Sequence, residues 1–295
     1  MKIYLVEYIN SDVYKLLKEK YEFTDKIEEC DIVISRNLII DKTFIDKAKN
    51  LKCAAMYGTG VDGIDLDYAK SKGITVFNAP KFNSLSVAEL NVSLMLAISR
   101  KLEKGIHDTK VESVIDYSGM LGNEITGKTV GFVGLGKISM LTAKMLKFGF
   151  ECNIKGWSRT KKNIDYINET TLDDVLDSDY VILGLALNDE TRHFINLEKL
   201  TKMKKTTYLI NACRGGLVAH DDLVYALKNN IIRGYATDVF EHEPVDINDE
   251  LLKLNVLSLP HVGGNTEESL YRVGIKIKEQ IDDFLAGKEP EFKIV

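Results

Sequence analysis

Val130-Gly131-Phe132-Val133-Gly134-Leu135-Gly136-Lys137-Ile138-Ser139 is the stretch on which the fold turns. Its first four residues read as a buried strand, and the pattern after Gly136 reads as a helix running through Lys147. Gly134 permits a tight turn between them. Gly136 lets backbone approach a pyrophosphate, which would sit on the helix N-terminus. Gly134, Gly136, Lys137 and Ile138 are therefore candidate cofactor contacts. Ser139 replaces the third glycine of the usual fingerprint, which predicts slightly looser packing of helix on strand. A lone GxG is equally an ordinary strand-to-helix turn, and it is the flanking strand and helix that make it a dinucleotide signal.

The same alternation extends in both directions. Downstream, strands are expected near Ile154, at Tyr180 to Leu185, Thr207 to Ile210, Gly234 to Thr237 and Val256 to Leu259. Upstream, Ile3 to Val6, Ile32 to Ile34, Cys53 to Tyr57 and Ile74 to Phe77 read as strands. A helix capped by Ser11 buries Val13, Leu16 and Leu17, and one long helix is expected from Ser84 to Leu102. A last amphipathic helix runs from Thr266 to about Leu285. Residues 104 to 124 are polar and weakly periodic. Strands alternating with helices imply an α/β protein of two doubly wound parallel sheets. The expected organisation is a Rossmann dinucleotide-binding domain, 93–265, inserted into a discontinuous flavodoxin-like substrate domain, 1–92 and 266–295.

Length and charge narrow the function classes. At 295 residues the chain has room for two domains, and 28% charged with 45% apolar residues suits a soluble globular protein. A net charge of -5 provides no overall field for nucleic acid or an anionic membrane, so neither is expected as a partner. Lys2 is followed by Glu7 after only four apolar residues, which does not make a signal peptide. Cys30, Cys53, Cys152 and Cys213 form no CxxC pair, so no metal site is expected and a cytoplasmic location fits their use.

The strand after the fingerprint ends in Trp157-Ser158-Arg159-Thr160-Lys161-Lys162. An acidic residue here would accept the ribose 2′-OH of NAD, and none is present. Three cations could neutralise a 2′-phosphate instead. Ser158, Arg159 and Thr160 thus favour NADP(H), with NAD(H) as the alternative, while the plain reading is a solvated basic turn.

Three motifs in the last third carry an acid–base kit. They are Asn211-Ala212-Cys213-Arg214-Gly215-Gly216, Asp238-Val239-Phe240-Glu241-His242-Glu243-Pro244 and Pro260-His261-Val262-Gly263-Gly264. Arg214 can grip and polarise an anionic carbonyl compound. His261 can move a proton near neutral pH, and a carboxylate can hold it in one tautomer and favour its charged form. Glu241 and Glu243 compete for that last role. Taken singly, Arg214 is equally a surface ion pair and His261 a solvated histidine. Arg214, however, follows an expected strand, at the carboxyl edge where parallel sheets bind ligands.

In these motifs and their order the chain resembles the D-isomer-specific 2-hydroxyacid dehydrogenase family, from about Cys53 to Ser269. Asn78-Ala79-Pro80 with Ser86-Val87-Ala88-Glu89, Thr126-Gly127-Lys128-Thr129-Val130-Gly131 and Glu190-Thr191-Arg192-His193 add to the likeness. The resemblance implies hydride transfer between a nicotinamide and C2 of a small 2-keto or 2-hydroxy acid of the glyoxylate, hydroxypyruvate or glycerate kind. It implies Arg214, Glu243 and His261 as catalytic residues, Glu243 being chosen because it precedes Pro244. Gly60 and Val61 would hold the substrate carboxylate together with Arg214. Asp238 would contact the nicotinamide carboxamide, with Val87, Cys213, His261 and Gly263 also on the cofactor. A homodimer is implied, through the surface around the helix from Ser84. Gly184 and Ala186 depart from a frequent histidine and proline. The rival reading from another class is a dinucleotide-sensing, corepressor-like binding protein without turnover.

Overall fold

The computed structural model describes residues 1–112 and 118–295. The chain divides into two compact units, Met1–Ser86 with Gly264–Val295, and Val87–Gly263. The elements in order are β1 (Lys2–Tyr4), α1 (Ser11–Lys18), β2 (Glu22–Thr24), β3 (Ile32–Ser35), α2 (Lys42–Lys47), β4 (Cys53–Met56), α3 (Leu66–Ser71), β5 (Thr75–Phe77) and α4 (Ser84–Ser99). They continue with α5 (Leu102–Lys110), β6 (Thr129–Val133), α6 (Lys137–Gly149), β7 (Asn153–Trp157), β8 (Asn168–Glu169), α7 (Leu172–Leu176) and β9 (Tyr180–Leu183). The last are α8 (Leu197–Leu200), β10 (Tyr208–Asn211), α9 (His220–Lys228), β11 (Gly234–Thr237), β12 (Val256–Ser258) and α10 (Glu267–Leu285).

The larger sheet lies within Val87–Gly263, and its order is β12-β11-β10-β9-β6-β7-β8, parallel throughout. Counted from β6 this is the doubly wound dinucleotide order with one strand added at the far edge, and its switch point lies between β6 and β9. The smaller sheet, β2-β1-β3-β4-β5, is also parallel and has the flavodoxin-like order. Both are expected of sequences whose central strands are apolar on every residue. Tyr180–Leu183 is buried along its length, because a parallel sheet is covered on both faces.

Strand alternation sorts the core of the larger unit into two layers. Val130, Phe132, Ile154, Tyr180, Ile182, Tyr208 and Ile210 pack with Leu94, Met95 and Ile98 of α4 and with Ala143 and Leu146 of α6. Val133, Val181, Leu183, Leu209 and Tyr235 face the other way, onto Val175, Leu200, Leu223 and Leu227. In the smaller unit Ile3, Ile32, Ile34 and Phe77 meet Val13 and Leu17 of α1 and Val273, Ile277 and Ile281 of α10. Each large aliphatic side chain so buried contributes roughly 1.5–3 kcal/mol.

Two local expectations need correction, and two further features have no counterpart in the sequence pattern. The cap of α1 is Asn10, not Ser11: its side chain accepts the N–H groups of Asp12 and Val13. The helix from Ser84 stops at Ser99, since Asn123 N–H donates to the Ser99 carbonyl and Lys101 turns left-handed at φ 52° before α5 begins. Part of the polar segment after 104 is therefore helical, while 113–117 lie outside the described residues. Finally, β2 and β8 are edge strands of three and two residues with no apolar pattern to announce them. Among the described residues no helix is long and apolar enough to cross a membrane.

Candidate active site

The candidate residues of the larger unit gather at the carboxyl ends of β6, β7, β10, β11 and β12, the edge at which a parallel sheet receives ligands. At the end of β6, Gly134 has φ +99°, and a Cβ there would lie 2.5 Å from the Gly184 carbonyl oxygen. Only glycine fits that turn. Gly136 caps α6 without a side-chain hydrogen bond, and a Cβ on it would meet Gly184 O no closer than 3.8 Å. The first-turn N–H groups at Lys137 and Ile138 have no partner within their own helix. An open backbone concavity at the positive end of a 13-residue helix fits a dinucleotide pyrophosphate.

The looser packing expected at Ser139 is not seen. Ser139 is fully buried, and a Cβ added to Gly184 would stand 2.1 Å from its Oγ. The two departures from the usual pattern compensate: the Ser139 hydroxymethyl group fills the space that Gly184 leaves.

At the end of β7, Ser158 Oγ donates to the Thr160 carbonyl at 2.8 Å, and Arg159 and Thr160 are exposed. The local sequence lacks a carboxylate, but folding delivers one: Glu190 Oε2 lies 3.1 Å from Arg159 Nη1. Sequence reasoning missed this pair, because the two residues belong to different strand ends.

The loops after β10 and β11 hold the acid–base candidates. Asn211 is fully buried and shapes the first loop. Its Oδ1 accepts Cys213 N–H at 3.1 Å, while its Nδ2 donates to the Arg214 carbonyl at 2.9 Å and to Tyr235 Oη at 3.1 Å. Cys213 Sγ donates to the Leu185 carbonyl, and Arg214 Nη1 to the Cys213 carbonyl at 2.7 Å. Gly215 then presses on the second loop: a Cβ would fall 1.9 Å from the Phe240 carbonyl carbon. That backbone-to-backbone approach brings the Arg214 loop against the one bearing Glu243.

Glu243 Oε2 meets His261 Nδ1 at 2.7 Å, and its Oε1 accepts Phe240 N–H at 2.9 Å. Burial pushes the Glu243 carboxyl up, yet the hydrogen bonds from His261 and Phe240 outweigh it and leave the pKa lowered. The Glu243 hydrogen bond raises the pKa of His261 against the opposing effect of burial, and the Glu243 and Asp238 charges add to the rise. Arg214 acts on both, lowering each. Among the described residues His261 Nε2 has no hydrogen-bond partner. His261 itself has φ 56°, an unusual conformation for a residue with a Cβ.

Asp238 explains how that conformation is held. It is 1% exposed and accepts Val262 N–H at 2.7 Å and Gly263 N–H at 2.6 Å. Burial raises its pKa, and the two N–H groups oppose the rise. Beside it, a Cβ on Gly263 would lie 3.4 Å from Val87, which is itself buried. Glu241 goes elsewhere: its Oε1 lies 2.6 Å from His193 Nε2 and 3.7 Å from Arg192 Nη1.

Gly60 and Val61 belong to the smaller unit, on the loop after β4. Val61 O accepts Ile64 N–H, and the preceding Thr59 is tied by its Oγ1 to Asn83 and by its carbonyl to Asn78.

Relatives can be set beside this geometry. A family model described as the NAD binding domain of D-isomer specific 2-hydroxyacid dehydrogenases matches residues 92–263. The chain is 35% identical, over 99% of its length, to D-3-phosphoglycerate dehydrogenase of Methanocaldococcus jannaschii, and spans 59% of that protein. It is 33% identical to a Staphylococcus aureus protein named as a 2-hydroxyacid dehydrogenase, with 99% of each chain covered. Two solved structures superpose over the whole chain. An acyclic imino acid reductase in complex with NADPH and D-Arg matches at 28% identity and TM-score 0.84, covering 100% of both chains. An NAD-dependent formate dehydrogenase from Staphylococcus aureus in complex with NAD matches at 27% and 0.86, covering 99% of that chain. The nucleotide cradle, the sheet order and the family match agree, and this chain belongs to the D-isomer specific 2-hydroxyacid dehydrogenases, NAD(P)-dependent oxidoreductases acting on the CH–OH group of their donors.

Proposed function

We propose that the chain interconverts a small 2-keto acid of the glyoxylate or hydroxypyruvate kind and its 2-hydroxy acid, with Arg214, His261 and Glu243 as catalytic residues. The observation that carries this reading is the 2.7 Å contact of Glu243 with His261 Nδ1, which leaves Nε2 for a substrate oxygen. When bound, the nicotinamide cofactor supplies the hydride to C2. The Arg214 guanidinium, planar and permanently charged, grips the carboxylate and polarises the carbonyl. His261 Nε2 gives its proton to the carbonyl oxygen as the hydroxyl forms, and takes it back in the oxidative direction. Glu243 fixes the ring's tautomer and favours its charged form. Gly60 and Val61 are the second proposed holder of the substrate carboxylate.

For the cofactor we favour NADP(H), with NAD(H) as the alternative. Gly134, Gly136, Lys137 and Ile138 would take the pyrophosphate, and Ser158, Arg159 and Thr160 the ribose end. Val87, Cys213, Asp238 and Gly263 would line the nicotinamide end. The four cysteines are free thiols, which suits the cytoplasm. A homodimer is proposed through the surface around the helix from Ser84, and sedimentation would test it. Neither nucleic acid nor a membrane is proposed as a partner, on the net charge of -5.

Absorbance at 340 nm with glyoxylate and hydroxypyruvate, each with NADPH and NADH, tests the reading. Turnover of at least one pair is expected. Cofactor binding without turnover of any acid would turn the assignment toward a nucleotide sensor.

A further inference from the structure

The ribose end of the nucleotide site carries a charge that its local sequence hides. Trp157-Ser158-Arg159-Thr160-Lys161-Lys162 contains no acid, yet the Arg159 guanidinium lies 3.1 Å from Glu190 Oε2. Glu190 rides on a turn tied down through Asn188 and Thr191. Glu190 N–H and Thr191 N–H both donate to Asn188 Oδ1 at 3.0 Å, and Asn188 N–H donates to Thr191 Oγ1 at 2.9 Å. Thr191 Oγ1 in turn reaches the Ala186 carbonyl at 2.6 Å, just beyond β9. The turn is braced against the end of β7 as well, where Trp157 stacks on Phe194 with ring centroids 5.6 Å apart. The carboxylate is thus carried to the end of β7 by a rigid support, while its own side chain remains 77% exposed. So exposed a pair holds weakly and exchanges readily.

We propose that Glu190 is a specificity-determining residue for the cofactor, setting the balance between a ribose 2′-hydroxyl and a 2′-phosphate at Arg159. The proposal rests on the nucleotide site assigned above. A 2′-phosphate that approaches Arg159 has to displace Glu190 and remains within a Debye length of its charge, so the carboxylate opposes it. A 2′-hydroxyl meets no such repulsion. It finds at that place an acceptor of the kind that dinucleotide folds usually supply from the end of the second strand. Here the acceptor comes from the turn after β9 instead; Arg159 still favours the phosphate-bearing cofactor, and Glu190 narrows that preference.

Trp157 is the only tryptophan in the chain and stands two residues from Arg159, so its fluorescence reports binding without turnover. Titration of the full chain with NAD⁺ and NADP⁺ should show that Glu190→Gln tightens NADP⁺ by about fivefold or more and leaves NAD⁺ unchanged or weaker. In the Arg159→Ala background the same substitution should lose most of its effect on NADP⁺. An unchanged ratio of the two dissociation constants in Glu190→Gln overturns the proposal. Binding of neither dinucleotide by the unsubstituted chain overturns the nucleotide site itself, and Glu190's role with it.

Discussion

Two histidine–glutamate pairs hang from one loop of the larger unit. Glu243 meets His261 at 2.7 Å, and Glu241, two residues earlier, meets His193 at 2.6 Å. Both histidines adopt left-handed backbone, with φ 56° and 54°. As isolated dyads they are nearly twins, and the surroundings separate them. His261 is engaged through Nδ1 and stands within reach of the Asp238 and Arg214 charges, on a segment bolted down by Asp238. His193 is engaged through Nε2, and its glutamate also lies 3.7 Å from Arg192 Nη1. It borders a cavity of about 460 Å³ together with His220, Glu241, His242 and Asp249. A short His–Glu contact therefore does not by itself single out one of the two pairs for proton transfer. In the proposed function, the ring nitrogen left over and the neighbouring Asp238 and Arg214 charges set the His261 pair apart.

The largest difference should appear on removing each imidazole. His261→Ala is expected to cut turnover by about two to four orders of magnitude while dinucleotide affinity stays, the usual worth of a positioned general acid. His193→Ala should leave turnover within a few-fold. Measuring both at 340 nm against the same keto acid checks the contrast, and comparable losses would erase it.

The carboxylates should differ in kind as well as size. Reduction needs imidazolium, so its rate is full at low pH and falls as pH rises through the pKa of His261, which Glu243 holds above the ordinary 6.5. Glu243→Gln removes the largest cause of that rise. It should lower the rate by about tenfold or more and move the falling limb to lower pH. In the oxidative direction, which needs neutral imidazole, the rising limb should move the same way. Glu241→Gln should leave both limbs in place. A limb that follows Glu241 instead would mean that the chemistry belongs to the other pair.

These contrasts also mark how far the sequence is legible. The two sheets are readable because parallel strands buried on both faces are apolar on every residue, as in Tyr180–Leu183, and because Gly134 and Gly136 punctuate the strand-to-helix turn. Edge strands such as Glu22–Thr24 carry no such pattern, because only one side of them is paired. The stop at Ser99 is set by a hydrogen bond from Asn123, which no periodicity contains. At the site, residue types and motif order suggest Arg214, Glu243 and His261. The choice between Glu241 and Glu243 comes from the neighbouring Pro244, whereas the partners that separate them, His193 and His261, are supplied by folding. Glu190 beside Arg159 was invisible for the same reason: charge at a strand end is a property of the sheet edge, and neighbouring strands contribute to it.

Asp238 offers a stability test of the same contrast. Its carboxylate is buried and accepts two short backbone bonds, so Asp238→Ala leaves the Val262 and Gly263 N–H groups without their acceptor. A loss of about 2–3 kcal/mol is expected in denaturant unfolding. Turnover of the remaining folded protein should also fall, since the left-handed turn at His261 loses its anchor. A variant as stable as the parent would show that the loop is held by other means.

The smallest effect expected is that of Glu241→Gln on stability. Glu241 Oε1 takes both His193 and Arg192, and its side chain is 16% exposed, more enclosed than the 37% of Glu243. On enclosure alone it would be the more costly to change. Its partners are 45% and 54% exposed, however, so solvent screens the pair, and an amide still accepts a hydrogen bond at the same place. Glu241→Gln should therefore shift unfolding by no more than about 1 kcal/mol. A shift of the size expected for Asp238→Ala would make the second pair a structural clamp on the Glu243 loop, and turnover measured on the same variant would then show whether the two dyads act as one unit.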